Sequence, residues 1–74
     1  MKSINSLDDI VPGSILVDYE DTVFMILQVE RTHGLHGLHD EGIDIHFVES
    51  DMYYGHGRII NEDLRNGYYK FLCV

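Results

Sequence analysis

The apolar residues of this chain fall into short runs that alternate with polar residues, which is the pattern of half-buried β-strands. The second run, Thr22–Glu30, is apolar on both faces over most of its length, as in a strand that is covered on both sides or bent to serve two sheets. Gly55-His56-Gly57 is predicted to be a turn. Five strands are therefore predicted: Ser14–Tyr19, Thr22–Glu30, Ile43–Val48, Arg58–Ile60 and Tyr68–Val74.

The segments between these runs carry turn and capping signals. Ser6 is a predicted N-cap for one helical turn that ends before Pro12-Gly13. Asn61 is a predicted cap for a second turn before the last strand, and Asn66-Gly67 is a turn signal. Arg31–Gly42 is a loop of 12 residues, longer than the two to five residues that usually join a hairpin.

Alternation also assigns a core face to each strand. The residues predicted to be buried are Ile15, Val17, Val23, Met25, Leu27, Ile43, Ile45, Phe47, Tyr69 and Phe71. Tyr68 is predicted to point outward, and at least one of Tyr53 and Tyr54 is predicted to be exposed.

Length and composition predict one folded domain over residues 1–74. The chain is 45% hydrophobic, too apolar for a disordered acidic tail. Its lone Cys73 has no partner within the chain for a disulfide, which is typical of a reducing compartment. No run approaches the roughly 18 apolar residues of a membrane helix, and the first ten residues lack the pattern of a signal peptide. A cytoplasmic location is expected.

The order of elements resembles an SH3-like barrel: five short strands, a long loop after the second and one 3-10 turn before the last. The segment from Leu7 to Val17 is similar to the opening of many SH3-like domains, and Asn61 to Leu64 is similar to their turn before the final strand. Size and acidity resemble the small accessory proteins of tailed phages. That resemblance implies a protein that binds and modifies host machinery in the host cytoplasm. The chain has no Trp, which argues against the binding of proline-rich peptides.

Charge is the property that limits which classes of partner this chain is expected to bind. The net charge is −8, and all but two of the 13 acidic residues precede residue 52. Such a field repels nucleic acid and anionic membranes and attracts basic proteins. The alternative explanation is that the charge only keeps the domain soluble. The spaced carboxylates suggest partial mimicry of nucleic acid. The residues predicted to bind a basic partner are Asp18, Glu20, Asp21, Asp40, Glu41, Asp44, Tyr53 and Tyr54.

The long loop contains His33, His36 and His39, which form the sharpest local feature of the sequence. Imidazole is a good ligand for zinc and other transition metals, and His46 on the following strand is a candidate fourth ligand. The favoured interpretation is nevertheless a solvated loop without a cofactor, because ordering a loop around an ion loses conformational entropy.

Catalysis has little support in the sequence. The serines lack a base at a recognisable spacing, and no phosphate-binding glycine loop is present. The favoured function is therefore a non-catalytic acidic module, a phage-like accessory protein or inhibitor that engages a basic host protein. The alternatives are a metal-binding module built on the histidine loop and a structural assembly subunit that forms a homo-oligomer.

Overall fold

One antiparallel β-sheet contains all the strands of the computed structural model, which describes residues 1–32 and 42–72. A 3-10 turn, Leu7–Asp9, precedes the second strand, and a short helix, α1, precedes the last. The mainly β class predicted from the sequence is confirmed. The elements are β1 (Lys2–Ser3), β2 (Ile15–Asp18), β3 (Val23–Thr32), β4 (Gly42–Glu49), β5 (Tyr54–Ile60), α1 (Asn61–Arg65) and β6 (Tyr69–Phe71).

The described residues form six strands, one more than predicted. Their order in the sheet is β1-β6-β2-β3-β4-β5, so β2 to β5 form a meander and β6 returns to lie beside β2. The additional strand is β1, in which Lys2 pairs with Phe71 and Ser3 with Lys70. Two residues are too few to show alternation, which is why the sequence does not predict β1.

The segment Gly55-His56-Gly57 lies within β5, so its prediction as a turn is wrong. Gly55 pairs with Phe47 and Gly57 with Ile45. A Cβ built on Gly55 would lie 2.9 Å from Cζ of Phe47, so the missing side chain makes room for this ring. The glycines of β5 therefore allow an aromatic ring of β4 to lie close to the β5 backbone.

The core lies on the face of the sheet opposite to the one predicted for β2 and for the first half of β3. Leu16, Phe24 and Ile26 are buried, whereas Ile15, Met25 and Leu27 are exposed. Both faces of these strands are apolar, so alternation alone does not identify the inner one. The core residues are Ile4, Leu7, Ile10, Leu16, Phe24, Ile26, Ile43, Ile45 and Ile59.

The remaining predicted core residues are confirmed in part. Val17, Ile43 and Ile45 are buried, although Val17 lies outside the core cluster. Val23 is half-buried. Half-buried residues that pack against the core are Phe47, Tyr69 and Phe71.

A bulge in β3 shifts the inner face by one residue. The register with β4 moves from Ile26–Phe47 to Gln28–His46, leaving Leu27 as the additional residue. Alternation would point Gln28 inward after Ile26, but beyond the bulge Val29 pairs with Ile45 and packs against the core. A bulge changes the phase of the side chains in this way because two residues then oppose one.

Two hairpins of the sheet turn in the same way. In the first, Asp18 N–H donates to Thr22 C=O at 3.0 Å and Asp21 N–H donates to Asp18 C=O at 3.0 Å. In the second, Glu49 and Met52 take the places of Asp18 and Asp21. Each turn ends on a residue with positive φ, 65° at Asp21 and 69° at Met52. This is the three-residue loop in which glycine usually occupies the last position.

Met52→Gly is expected to raise the free energy of unfolding by up to about 1 kcal/mol, because glycine adopts positive φ without the steric penalty of a Cβ. Met52 is exposed, so little packing is lost. Chemical denaturation measures the change. A matched Tyr53→Gly variant at the next position should be destabilised, and a Met52→Gly protein less stable than the parent would contradict this account of the turn.

The two helical segments have local caps. Ser6 Oγ accepts from Asp8 N–H at 3.2 Å, as predicted. The cap of α1 lies one residue earlier than predicted, because Ile60 N–H donates to the Asp63 carboxylate at 3.0 Å. The helix ends at Arg65, and Gly67 just beyond it has φ 71°. The Gly67 and Tyr68 N–H groups donate to carbonyls in the last turn of the helix.

Candidate protein-binding site

Five carboxylates lie at one end of the sheet. The β2–β3 turn and the β4–β5 turn are at this same end, because Phe24 at the start of β3 pairs with Glu49 at the end of β4. The sequence separates the two turns by about thirty residues, and antiparallel pairing brings them to one edge. This group is called the acidic end and consists of Asp18, Glu20, Asp21, Glu49 and Asp51.

No carboxylate of the acidic end takes part in the ion pairs found among residues 1–32 and 42–72. Those pairs are Arg31–Asp8 and Arg58–Asp44, the second at 3.4 Å. Both are exposed, so each contributes little to stability. The charge of the acidic end is therefore directed at solvent or at a partner.

Two of these carboxylates also hold the turns. Asp18 Oδ1 accepts from Glu20 N–H at 2.8 Å and from Thr22 N–H at 3.0 Å. Asp51 Oδ1 accepts from Tyr53 N–H at 3.1 Å. Reversing the charge of Asp18 would remove an acceptor from two backbone groups, so this substitution is expected to weaken the fold as well as any binding.

Tyrosines surround the acidic end. Tyr19 and Tyr68 lie with ring centroids 5.4 Å apart, and both are exposed, as predicted for Tyr68. A hydrogen bond to Glu20 and the charge of that carboxylate raise the pKa of Tyr19. Tyr53, which follows the β4–β5 turn, is 59% exposed. Exposed rings beside carboxylates offer a partner both apolar area and hydrogen bonds.

Tyr69 has a structural position instead. Its ring lies edge-on to Phe24, with centroids 6.2 Å apart. Burial is the main cause that raises the pKa of Tyr69, and the charges of Asp63 and Asp18 add to it.

The predicted partner-binding residues do not form one group. Asp18, Glu20, Asp21 and Tyr53 meet at the acidic end, where the structure adds Glu49 and Asp51. Asp44 lies further along β4, opposite Arg58. Tyr54 lies on the outer face of β5 and is 62% exposed. The predicted residues that fall outside the described ranges are Asp40, Glu41, His33, His36 and His39.

An exposed apolar row crosses the outer face of the sheet. Sequence alternation does not predict this row, because it places two of its members, Ile15 and Met25, in the core. Leu72 N–H donates to Ile15 C=O at 2.9 Å. The pairs Ile15–Met25, Met25–Val48 and Val48–Tyr54 continue the row over the next strands. All but the half-buried Val48 are exposed. The outer apolar row is Leu72, Ile15, Met25, Val48 and Tyr54.

Comparison with known proteins gives no match: no family model, no curated protein and no solved structure shows significant similarity to this chain. Among residues 1–32 and 42–72, no helix has the length and apolarity needed to cross a membrane.

Proposed function

We propose that this protein is a non-catalytic acidic module that binds a basic protein, in the manner of a phage accessory protein or inhibitor acting in the host cytoplasm. The acidic end provides the charge for this contact, and the exposed tyrosines next to it provide apolar anchors. A basic surface that normally binds nucleic acid is the class of partner that best fits a group of spaced carboxylates.

The observation that carries the proposal is the convergence of two turns. Glu20 and Asp21 on one turn and Asp51 on the other present carboxylates from one end of a sheet, next to exposed Tyr19 and Tyr53. Sequence alone places these acids in two separate segments. Bringing like charges together opposes folding unless they are exposed, so their position is better suited to recognition than to stability.

The strand order supports the finer proposal of an SH3-like barrel. The meander from β2 to β5 followed by the return of β6 to β2 is the connectivity of that fold, and α1 lies before the last strand. A barrel would bring the acidic end to one rim.

Neutralising the acidic end is expected to weaken binding about tenfold, because three exposed charge contacts contribute roughly 0.2 to 1 kcal/mol each. The variant combines Glu20→Gln, Asp21→Asn and Asp51→Asn. Asn tolerates the positive φ of position 21, and an amide oxygen preserves the acceptor for Tyr53 N–H. Capture from a host lysate at low salt supplies the basic partner, and titration with the purified partner measures the affinity.

A matched variant separates position from net charge. Asp9→Asn, Glu30→Gln and Glu62→Gln remove the same three charges from exposed positions away from the acidic end. This control should bind nearly as tightly as the parent, and higher salt should weaken the parent more than the acidic-end variant. An equal loss of affinity in both variants would show that only net charge matters. No loss of affinity in either variant would show that the acidic residues contribute only to solubility.

A structural assembly subunit is the second candidate, and the outer apolar row favours it. Ile15 on β2, Met25 on β3 and Tyr54 on β5 present exposed apolar area on one face of the sheet, which is a common feature of contacts between protein chains. The mass in solution distinguishes this candidate, since a homo-oligomer would bury the row without a basic partner.

A further inference from the structure

Two histidines face each other across β4 and β5. His46 pairs directly with His56, and their ring centroids lie 5.7 Å apart with the rings tilted by 40°. Both side chains are exposed. The sequence associates His46 only with the loop histidines and predicts a turn at His56, so this pair is a feature of the folded chain alone.

The backbone places these side chains as close as two strands allow. Glu49 and Tyr53 form a hydrogen-bonded pair, since Glu49 N–H donates to Tyr53 C=O at 2.8 Å. Pairs alternate along an antiparallel ladder between hydrogen-bonded and non-hydrogen-bonded, and the β4–β5 register has no interruption. Three pairs further on, His46–His56 is therefore a non-hydrogen-bonded pair, in which the side chains lie closest.

The register of this hairpin is fixed on both sides of the pair. The β4–β5 turn precedes it, and Phe47 packs over Gly55 between the turn and the histidines. On the other side Asp44 pairs with Arg58 across the same two strands. The backbone positions of the two histidines are therefore fixed next to each other before any ligand binds, which reduces the entropy lost on binding.

The surroundings favour a cation. A cavity of about 490 Å³ on this face is lined by both histidines, by the carboxylates of Glu30 and Asp44, and by Arg58. The guanidinium of Arg58 balances one carboxylate at 3.4 Å. The cavity is open to solvent, so water can complete the coordination of an ion.

We propose that His46 and His56 form a two-imidazole site for a divalent transition-metal ion such as Zn²⁺, Ni²⁺ or Cu²⁺. An ion that binds two imidazole nitrogens at about 2 Å in tetrahedral geometry holds the ring centres about 5 Å apart. Small side-chain rotations bring the observed 5.7 Å to that separation. The site is independent of the proposed binding of a basic protein.

The chemistry of the site follows from its ligand number. The described residues contain no group of three or more histidine, cysteine or carboxylate side chains placed to hold one ion. Among the described residues, the two histidines are thus the protein ligands and water supplies the others, which makes the site exchangeable, unlike closed structural sites with four protein ligands. A bound ion links β4 to β5, so it stabilises the folded chain by an amount that grows with the logarithm of the free ion concentration once this exceeds the dissociation constant.

The test measures Zn²⁺ binding to the full chain. The parent protein for this test carries His33→Gln, His36→Gln and His39→Gln, which remove the loop imidazoles. Calorimetric titration should give one ion per chain, and Zn²⁺ should raise the melting temperature. Adding either His46→Gln or His56→Gln should weaken binding at least tenfold and remove the thermal shift. Without metal, both variants should melt like their parent, because the two side chains are exposed.

NMR signals of the histidine rings identify directly which side chains bind the ion. Substoichiometric Cu²⁺ should broaden the ring signals of His46 and His56 before those of other residues. Zn²⁺ binding that survives His56→Gln, or that disappears when only the loop histidines are replaced, would overturn the assignment.

Discussion

Leu16→Ala is expected to lower the free energy of unfolding by about 3 to 5 kcal/mol, the loss measured for leucines removed from well-packed cores. Leu16 is 0% exposed and lies in the core cluster, on the strand that pairs with both β3 and β6. A chain of this length has roughly 4 to 11 kcal/mol of stability in total. The substitution should therefore remove a large fraction of the total stability, and denaturant titration followed by circular dichroism would measure the fall in the unfolding midpoint.

The neighbouring residue supplies the matched control. Ile15 is 36% exposed on the outer face, so Ile15→Ala should lower the stability by about 1 kcal/mol or less. Sequence alternation predicts the reverse order for this pair. A greater loss for Ile15→Ala than for Leu16→Ala would show that the inner face of β2 has been assigned incorrectly.

Phe47→Ala is expected to lower the free energy of unfolding by about 3 kcal/mol, at the lower end for phenylalanine because the side chain is half-buried. The ring packs against Phe24, with centroids 5.1 Å apart, and lies over the backbone of β5 at Gly55. Its loss removes both contacts. Val48→Ala, on the outer face of the same strand, should have a smaller effect, and equal losses at both positions would contradict the packing.

A double-mutant cycle tests the contact between this ring and Gly55 directly. Gly55→Ala in the parent chain would place a Cβ 2.9 Å from Cζ of Phe47, which should destabilise by about 1 to 3 kcal/mol. In the Phe47→Ala background that clash is absent, and the exposed Tyr53 ring, at 3.0 Å, can rotate away. The effects of the two substitutions should therefore not be additive.

The structure explains why some sequence signals were reliable. The Ser6 cap and the Asn66-Gly67 turn depend on hydrogen bonds within a few residues, and both are present. Alternation also predicts the correct face for Ile43 and Ile45, because they alternate with the polar residues Asp44 and His46. Short-range chemistry and a clear contrast between faces were sufficient in these cases.

The candidate sites required long-range information. Glu20 and Asp51 come together because two hairpins of similar turn geometry point to the same end of the sheet. His46 and His56 come together because the β4–β5 turn sets the register. The spacing of these residues along the chain predicts neither of the two groupings.

By itself the sequence determined that this is a mainly β protein with a strongly acidic surface, since alternating apolar residues and the net charge of −8 are properties of the chain alone. The tertiary structure decided which face of β2 and β3 is inside. Leu16 pairs with Phe71 and with Phe24, and the N-terminal Leu7 joins the same cluster, so that face becomes the core. Where both faces of a strand are apolar, only the packing of distant segments can make this choice, because burial depends on what covers a face.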